Sequence, residues 1–141
     1  MQLFVNDLTV MDFSYLCPER GMVGESWIVD VILSGDLNEE SMVLDFGKVK
    51  KQLKYLIDEY IDHKLLVPVE HEYSQIQHDE KSGKVKVDFM RPNNKSIHLN
   101  CPDEAYAFVY SSNVTMASVS DYLKDVIATH LPENVAGLEL N

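Results

Sequence analysis

The chain has 141 residues, 45% of them hydrophobic, and carries 23 acidic against 12 basic side chains, for a formal net charge of −11 at pH 7. That length bounds it to about one domain with a core of ordinary size. So acidic a surface repels phosphate backbones and anionic lipid, which argues against nucleic acid and membranes as partners.

The cysteine pair, Cys17 and Cys101, gives no disulfide framework. Met1 to Val10 lacks the basic flank and apolar run of a signal peptide. No stretch reaches the roughly 20 apolar residues needed to cross a bilayer. The expected location is the cytoplasm.

Leu3 to Leu16 reads as an extended segment, with Leu8, Val10 and Leu16 on one parity and Met11, Phe13 and Tyr15 on the other. Apolar residues on both parities predict a strand covered on both sides. After the turn-rich Cys17-Pro18-Glu19-Arg20-Gly21, a second strand is expected from about Glu25 to Ser34, with Trp27, Val29, Val31 and Leu33 on one face. Asp45 is placed to cap a helix whose stripe is Phe46, Val49, Leu53, Leu56, Tyr60 and Ile61, while Lys48, Lys50, Lys51 and Lys54 face water.

The texture then changes. Glu72 to His78, Lys84 to Met90 and Ser96 to Cys101 read as three short strands joined by turns, a β-meander. Val85, Val87 and Phe89 alternate with Lys84, Lys86 and Asp88, as in a sheet with one wet face. A second helix is predicted from about Ser118 to Thr129, with Val119, Tyr122, Leu123, Val126 and Ile127 as its stripe and Ser118 with Asp121 as a weak capping box. Val135 to Asn141 closes the chain as a strand. The expected fold class is α+β, an antiparallel sheet with both helices packed on one face.

Met42-Val43-Leu44-Asp45-Phe46-Gly47-Lys48-Val49-Lys50 and Ile61-Asp62-His63-Lys64-Leu65-Leu66 together resemble the 6-pyruvoyltetrahydropterin synthase and 6-carboxytetrahydropterin synthase family. The strand pair and the second helix, with Asn113-Val114-Thr115 before it, fit the same pattern. The resemblance covers about residues 3 to 68 and 113 to 141. It implies the tunnelling fold in a single domain, residues 1 to 141, in which 70 to 110 form an inserted β-meander. It also implies assembly through sheet edges, so the expected partner is a second copy of this chain or a homologous one.

The family's zinc is held by one histidine on the first strand and a His-x-His pair opening the second. The matching positions are Ser14, Val23 and Glu25. Zinc in a catalytic site takes imidazole nitrogens at about 2.0–2.1 Å and keeps a position open; a hydroxyl, an isopropyl group and a carboxylate are a poor replacement. No metal and no cofactor are therefore expected. The position of the family's nucleophilic cysteine falls on Glu19, with Cys17 two residues away.

Asp62 and His63 match the family's Asp-His proton relay, in which the carboxylate fixes the imidazole tautomer. Read from the helix alone, the same pair could be a C-terminal cap. Asp58, Glu59 and Asp62 crowd a helix end where negative charge is unfavourable, marking either a solvated acidic face or a site. Glu139 has the type, though not the register, of the family's pterin-gripping glutamate. His71, His78, His98 and His130 form no metal site by spacing.

Three functions are thereby open. The first is a non-catalytic member serving assembly or the support of an active copy. The second is a zinc-independent enzyme or binder for a pterin or related heterocycle, with Asp62 and His63 handling protons and Glu25 or Glu19 anchoring ring nitrogens. The third is a binding module presenting the aromatics Tyr73, Phe89, Tyr106, Phe108 and Tyr110.

Overall fold

The computed structural model describes residues 2–34, 39–130 and 135–141. Two long strands, β1 (Gln2–Cys17) and β2 (Gly21–Ser34), form an antiparallel ribbon. Helix α1 (Glu39–Tyr60) follows, then β3 (Leu65–Pro68), and the meander β4 (Ser74–Asp79), β5 (Lys84–Phe89) and β6 (Ile97–Pro102). The chain continues through β7 (Tyr106–Val109), α2 (Met116–His130) and β8 (Val135–Leu140). The main sheet has the order β7-β3-β1-β2-β8, and β4-β5-β6 make a separate three-stranded sheet. Among the described residues no helix is long and apolar enough to cross a membrane.

Strict alternation along the ribbon builds the core. Met11 and Phe13 of β1 stand on the same face as Trp27, Val29, Val31 and Leu33 of β2, and all are buried. Val49, Leu53, Ile57 and Ile61 from the α1 segment and Val119, Leu123 and Ile127 from α2 pack onto that face. Each such side chain contributes about 1.5–3 kcal/mol when fully buried, so the helices are held by this stripe. Lys48, Lys50, Lys51 and Lys54 are exposed as expected. The other face is covered at one end, where Leu16 and Val67 meet Val85, Val87, Phe89 and Tyr106 in a second core. At its opposite end Phe4, Val10 and Ile28 are exposed, so the two-sided cover expected for β1 is confined to the Leu16 end.

Several local expectations change. Helix α1 starts at Glu39, which puts Asp45 inside it instead of at its cap; the side chain of Phe46 lies outside the described residues. Helix α2 starts at Met116, and its capping pair is Thr115 with Ser118. The Ser118 N–H donates to Thr115 Oγ1 at 3.1 Å, and the Thr115 N–H donates to Ser118 Oγ at 2.9 Å. This reciprocal arrangement satisfies orphan amides three residues upstream of the Ser118–Asp121 pair. His130 is the last residue of α2.

The main sheet is antiparallel across β1, β2 and β8 but parallel across β1, β3 and β7. Strands β3 and β7 show no period of two: they are short, nearly all-buried runs, as parallel strands with both faces covered are. Tyr106–Val109 thus pairs into the main sheet. Of the five aromatics from residue 73 to 110, Phe89 and Tyr106 are buried and Tyr73 and Phe108 pack against that second core, while Tyr110 is exposed. Most of the aromatic area expected to face a partner is internal.

Candidate functional site

The end of α1 is fastened to β1 by side chains and backbone together. Asp58 accepts from Thr9 Oγ1 at 3.2 Å and from Lys54 Nζ at 2.8 Å. One turn on, Asp62 Oδ1 accepts the backbone N–H of Asp12 at 2.9 Å. The acidic crowding at the helix end is therefore put to use, because two of the three carboxylates dock the helix on the strand. Glu59 remains exposed.

His63 follows with φ of 61°, in the left-handed region that glycine usually fills after a helix. Its N–H donates to the Asp12 carbonyl at 2.7 Å, and the Ser14 N–H donates to the Lys64 carbonyl at 3.0 Å. The segment 62–64 is thus laid along β1, and it leads directly into β3, which pairs with Ser14 and Tyr15.

This stitching presents the His63 imidazole to solvent, with its side chain 80% exposed and Nδ1 3.7 Å from Asp62 Oδ2. Asp12, Asp62 and His63 offer donor atoms that lie within 4.8 Å of one another. Asp12 also accepts from the Ser26 hydroxyl across the ribbon. Beside them opens a cavity of about 860 Å³, lined by Asp12, Ser14, Gly24, Glu25, Ser26 and His63 among others. Lys64 stands at its edge and donates to the Glu104 carbonyl, joining the site to the short helical turn before β7. The arrangement can accept N–H groups on its carboxylates and exchange a proton at an exposed imidazole.

The positions matched to the zinc ligands do not converge. Ser14 lies opposite Gly24, whereas Val23 and Glu25 pair with Tyr15 and Phe13. Alternation puts Val23 and Glu25 on the parity of the helix-facing core and Ser14 on the other. A shift of register does not rescue the set, because no histidine precedes His63 in the sequence. One imidazole with two carboxylates, both already accepting hydrogen bonds, does not fit a three-histidine zinc site.

Cys17 and Glu19 sit at the far turn of the ribbon, Sγ to Oε2 at 3.4 Å. They are absent from the cavity lining among the described residues. Glu139 is exposed on β8 and pairs with Asp30. His98 Nδ1 lies 2.6 Å from Asp88 Oδ1 on the wet face of the second sheet. Asp12 was not singled out in the sequence: its partner is 50 residues away, and no local pattern marks it.

A ribbon extended into a mixed sheet, with both helices on one face and an Asp-His pair closing the first helix, defines a tunnelling-fold domain. A sequence profile described as 6-pyruvoyl tetrahydropterin synthase matches residues 14–140, and the chain belongs to that family. The 6-pyruvoyl tetrahydropterin synthase of Plasmodium vivax aligns with a TM-score of 0.68 at 15% identity, over 99% of this chain and 88% of that one. A variant of the P. vivax protein in which a glutamate described as a catalytic residue is replaced by alanine aligns equally well, at 16% identity and the same coverage. The P. falciparum enzyme gives 0.67 at 11% identity, again over 99% and 88%. At such identities the shared property is the fold. No curated protein sequence matches.

Proposed function

We propose that this chain is a 6-pyruvoyl tetrahydropterin synthase-like domain that has lost the zinc site and serves oligomer assembly or the support of an active copy. The observation that carries this reading is the absence of any histidine before His63, which leaves both strands of the ribbon without an imidazole. The sheet edges give a second support. Among the described residues, strands β7 and β8 each have one paired neighbour, and edge strands recruit further strands. The partner is another copy of this chain or a homologue carrying the histidines.

The test has two parts. Zinc measured after dialysis against a chelator should fall far below one ion per chain, and stoichiometric retention would refute the loss of the site. Co-expression with a family member that has intact histidines should give a mixed oligomer by native mass spectrometry; strictly separate species would refute the supporting role.

A second reading is a zinc-independent enzyme or binder for a pterin or related heterocycle. It rests on Asp12, Glu25 and His63 around the cavity, with Asp62 behind the imidazole. A catalytic glutamate in the P. vivax protein is consistent with carboxylate chemistry at Glu25 or Glu19. Turnover of dihydroneopterin triphosphate that disappears in His63→Ala would select this reading over the first.

A further inference from the structure

The outer surface of the helix layer has a composition at odds with the rest of the molecule. The chain carries −11 overall, yet four of its 12 basic residues, Lys48, Lys50, Lys51 and Lys54, fall within two turns of α1 with no acid between them. All four are exposed. The same stretch ends in Tyr55, which is 66% exposed. An aromatic ring left in water beside a run of cations is unusual for a helix face meant only for solubility, and aromatic side chains are enriched where proteins meet.

Between the helices this surface is concave. A groove of about 400 Å³ is lined by Lys51, Gln52, Tyr55 and Leu56 of α1 and by His130 of α2. Leu56 is buried and gives the groove an apolar floor, while Lys51, Gln52 and His130 are exposed at its walls. The His130 ring lies edge-on to Tyr60 at 5.9 Å, and its Nδ1 is 2.9 Å from the Val126 carbonyl. Those two contacts hold the ring at the wall of the groove.

We propose that this groove docks an acidic segment of another protein, with one aliphatic side chain on the Leu56 floor beside Tyr55 and carboxylates over Lys51 and Lys48. Charge complementarity selects this occupant. The surface is cationic in an acidic molecule, so an acidic partner is attracted to this face. An apolar floor adds what a phosphate backbone would not use. The site is separate from the cavity at His63 and does not depend on the fate of the zinc site.

The experiment uses the full chain and a fluorescein-labelled peptide of aspartates and glutamates around one central leucine, with a matched peptide in which serine replaces that leucine. Saturable binding of the leucine peptide is expected, falling as salt is raised. Amide NMR shifts should be confined to Lys51, Gln52, Tyr55, Leu56, His130 and their neighbours. Lys51→Glu combined with Tyr55→Ala should weaken binding about tenfold or more, equivalent to about 1.4 kcal/mol; Lys48→Glu, at another exposed position, provides an independent second variant. The proposal is overturned by an absence of saturable binding, by shifts that map to the sheets, or by equal affinity for the serine peptide. Tighter binding of single-stranded DNA or anionic vesicles overturns it in favour of those partners.

Discussion

His63→Gly separates backbone strain from side-chain chemistry. A non-glycine residue in the left-handed region costs about 1–2 kcal/mol, and His63 stands there with φ of 61°. Glycine removes that cost but adds unfolded-state freedom worth about 0.5–1 kcal/mol. The lost contact with Asp62 is small, because the imidazole is 80% exposed and 3.7 Å from the carboxylate, which puts the pair at a few tenths of a kcal/mol. The net expectation is a gain centred near 0.5 kcal/mol and reaching about 1 kcal/mol, or a rise of about 1–3 °C in Tm for a domain of this size. His63→Ala keeps the left-handed cost and should bring no gain. Differential scanning calorimetry of the three proteins decides the matter. A lower Tm for His63→Gly, or equal shifts in both variants, would show that the left-handed backbone at residue 63 stores no such strain and that the argument is mistaken.

Three further outcomes follow from the same geometry. Asp62→Ala removes the acceptor of the exposed Asp12 amide and should cost about 0.5–1.5 kcal/mol in urea unfolding, with Asp62→Asn recovering most of it. Gly21→Ala should destabilise by about 1–3 kcal/mol, since φ is +86° and an added Cβ would lie 2.8 Å from Arg91 Nη1; a silent substitution would mean that the turn relaxes freely. Burial, then Tyr60 and Tyr110, push the Tyr122 hydroxyl up to about 12. The folded state therefore holds that proton after the unfolded chain has released it. The associated stability is present below the ordinary tyrosine value near 10 and is lost as pH rises from there to about 12. Urea midpoints across that window should fall less steeply in Tyr122→Phe.

The sequence made some elements plain and hid others for reasons of physics. Val49, Leu53, Leu56 and Ile61 mark α1 because a helix on a sheet needs one apolar stripe, and Val85, Val87 and Phe89 mark β5 because one face is wet. Leu65–Pro68 and Tyr106–Val109 escaped notice because parallel strands with both faces covered lose the alternation that identifies strands. The cap of α2 was displaced because Thr115 and Ser118 lie just ahead of the apolar run. At the site, Asp62 and His63 were legible through a family pattern. Asp12, Ser26 and the opposition of Ser14 to Gly24 depend on strand pairing, which a one-dimensional reading does not contain.

The ribbon has one irregularity of register, between Val5 and Thr9. There Asp7 turns to φ of 56° and gives its N–H to Asp30 Oδ1 at 2.7 Å. The opposite oxygen of Asp30 accepts from Asn141 Nδ2, also at 2.7 Å, so one carboxylate spans three strands at the bulge. Among the described residues, β1 meets β3 only at Ser14 and Tyr15, which leaves a long outer margin of the ribbon. Bulges spoil the flatness that stacking chains require. Asp30→Ala removes both of these hydrogen bonds and is expected to flatten that margin, so the variant should scatter light on storage before it loses any secondary structure.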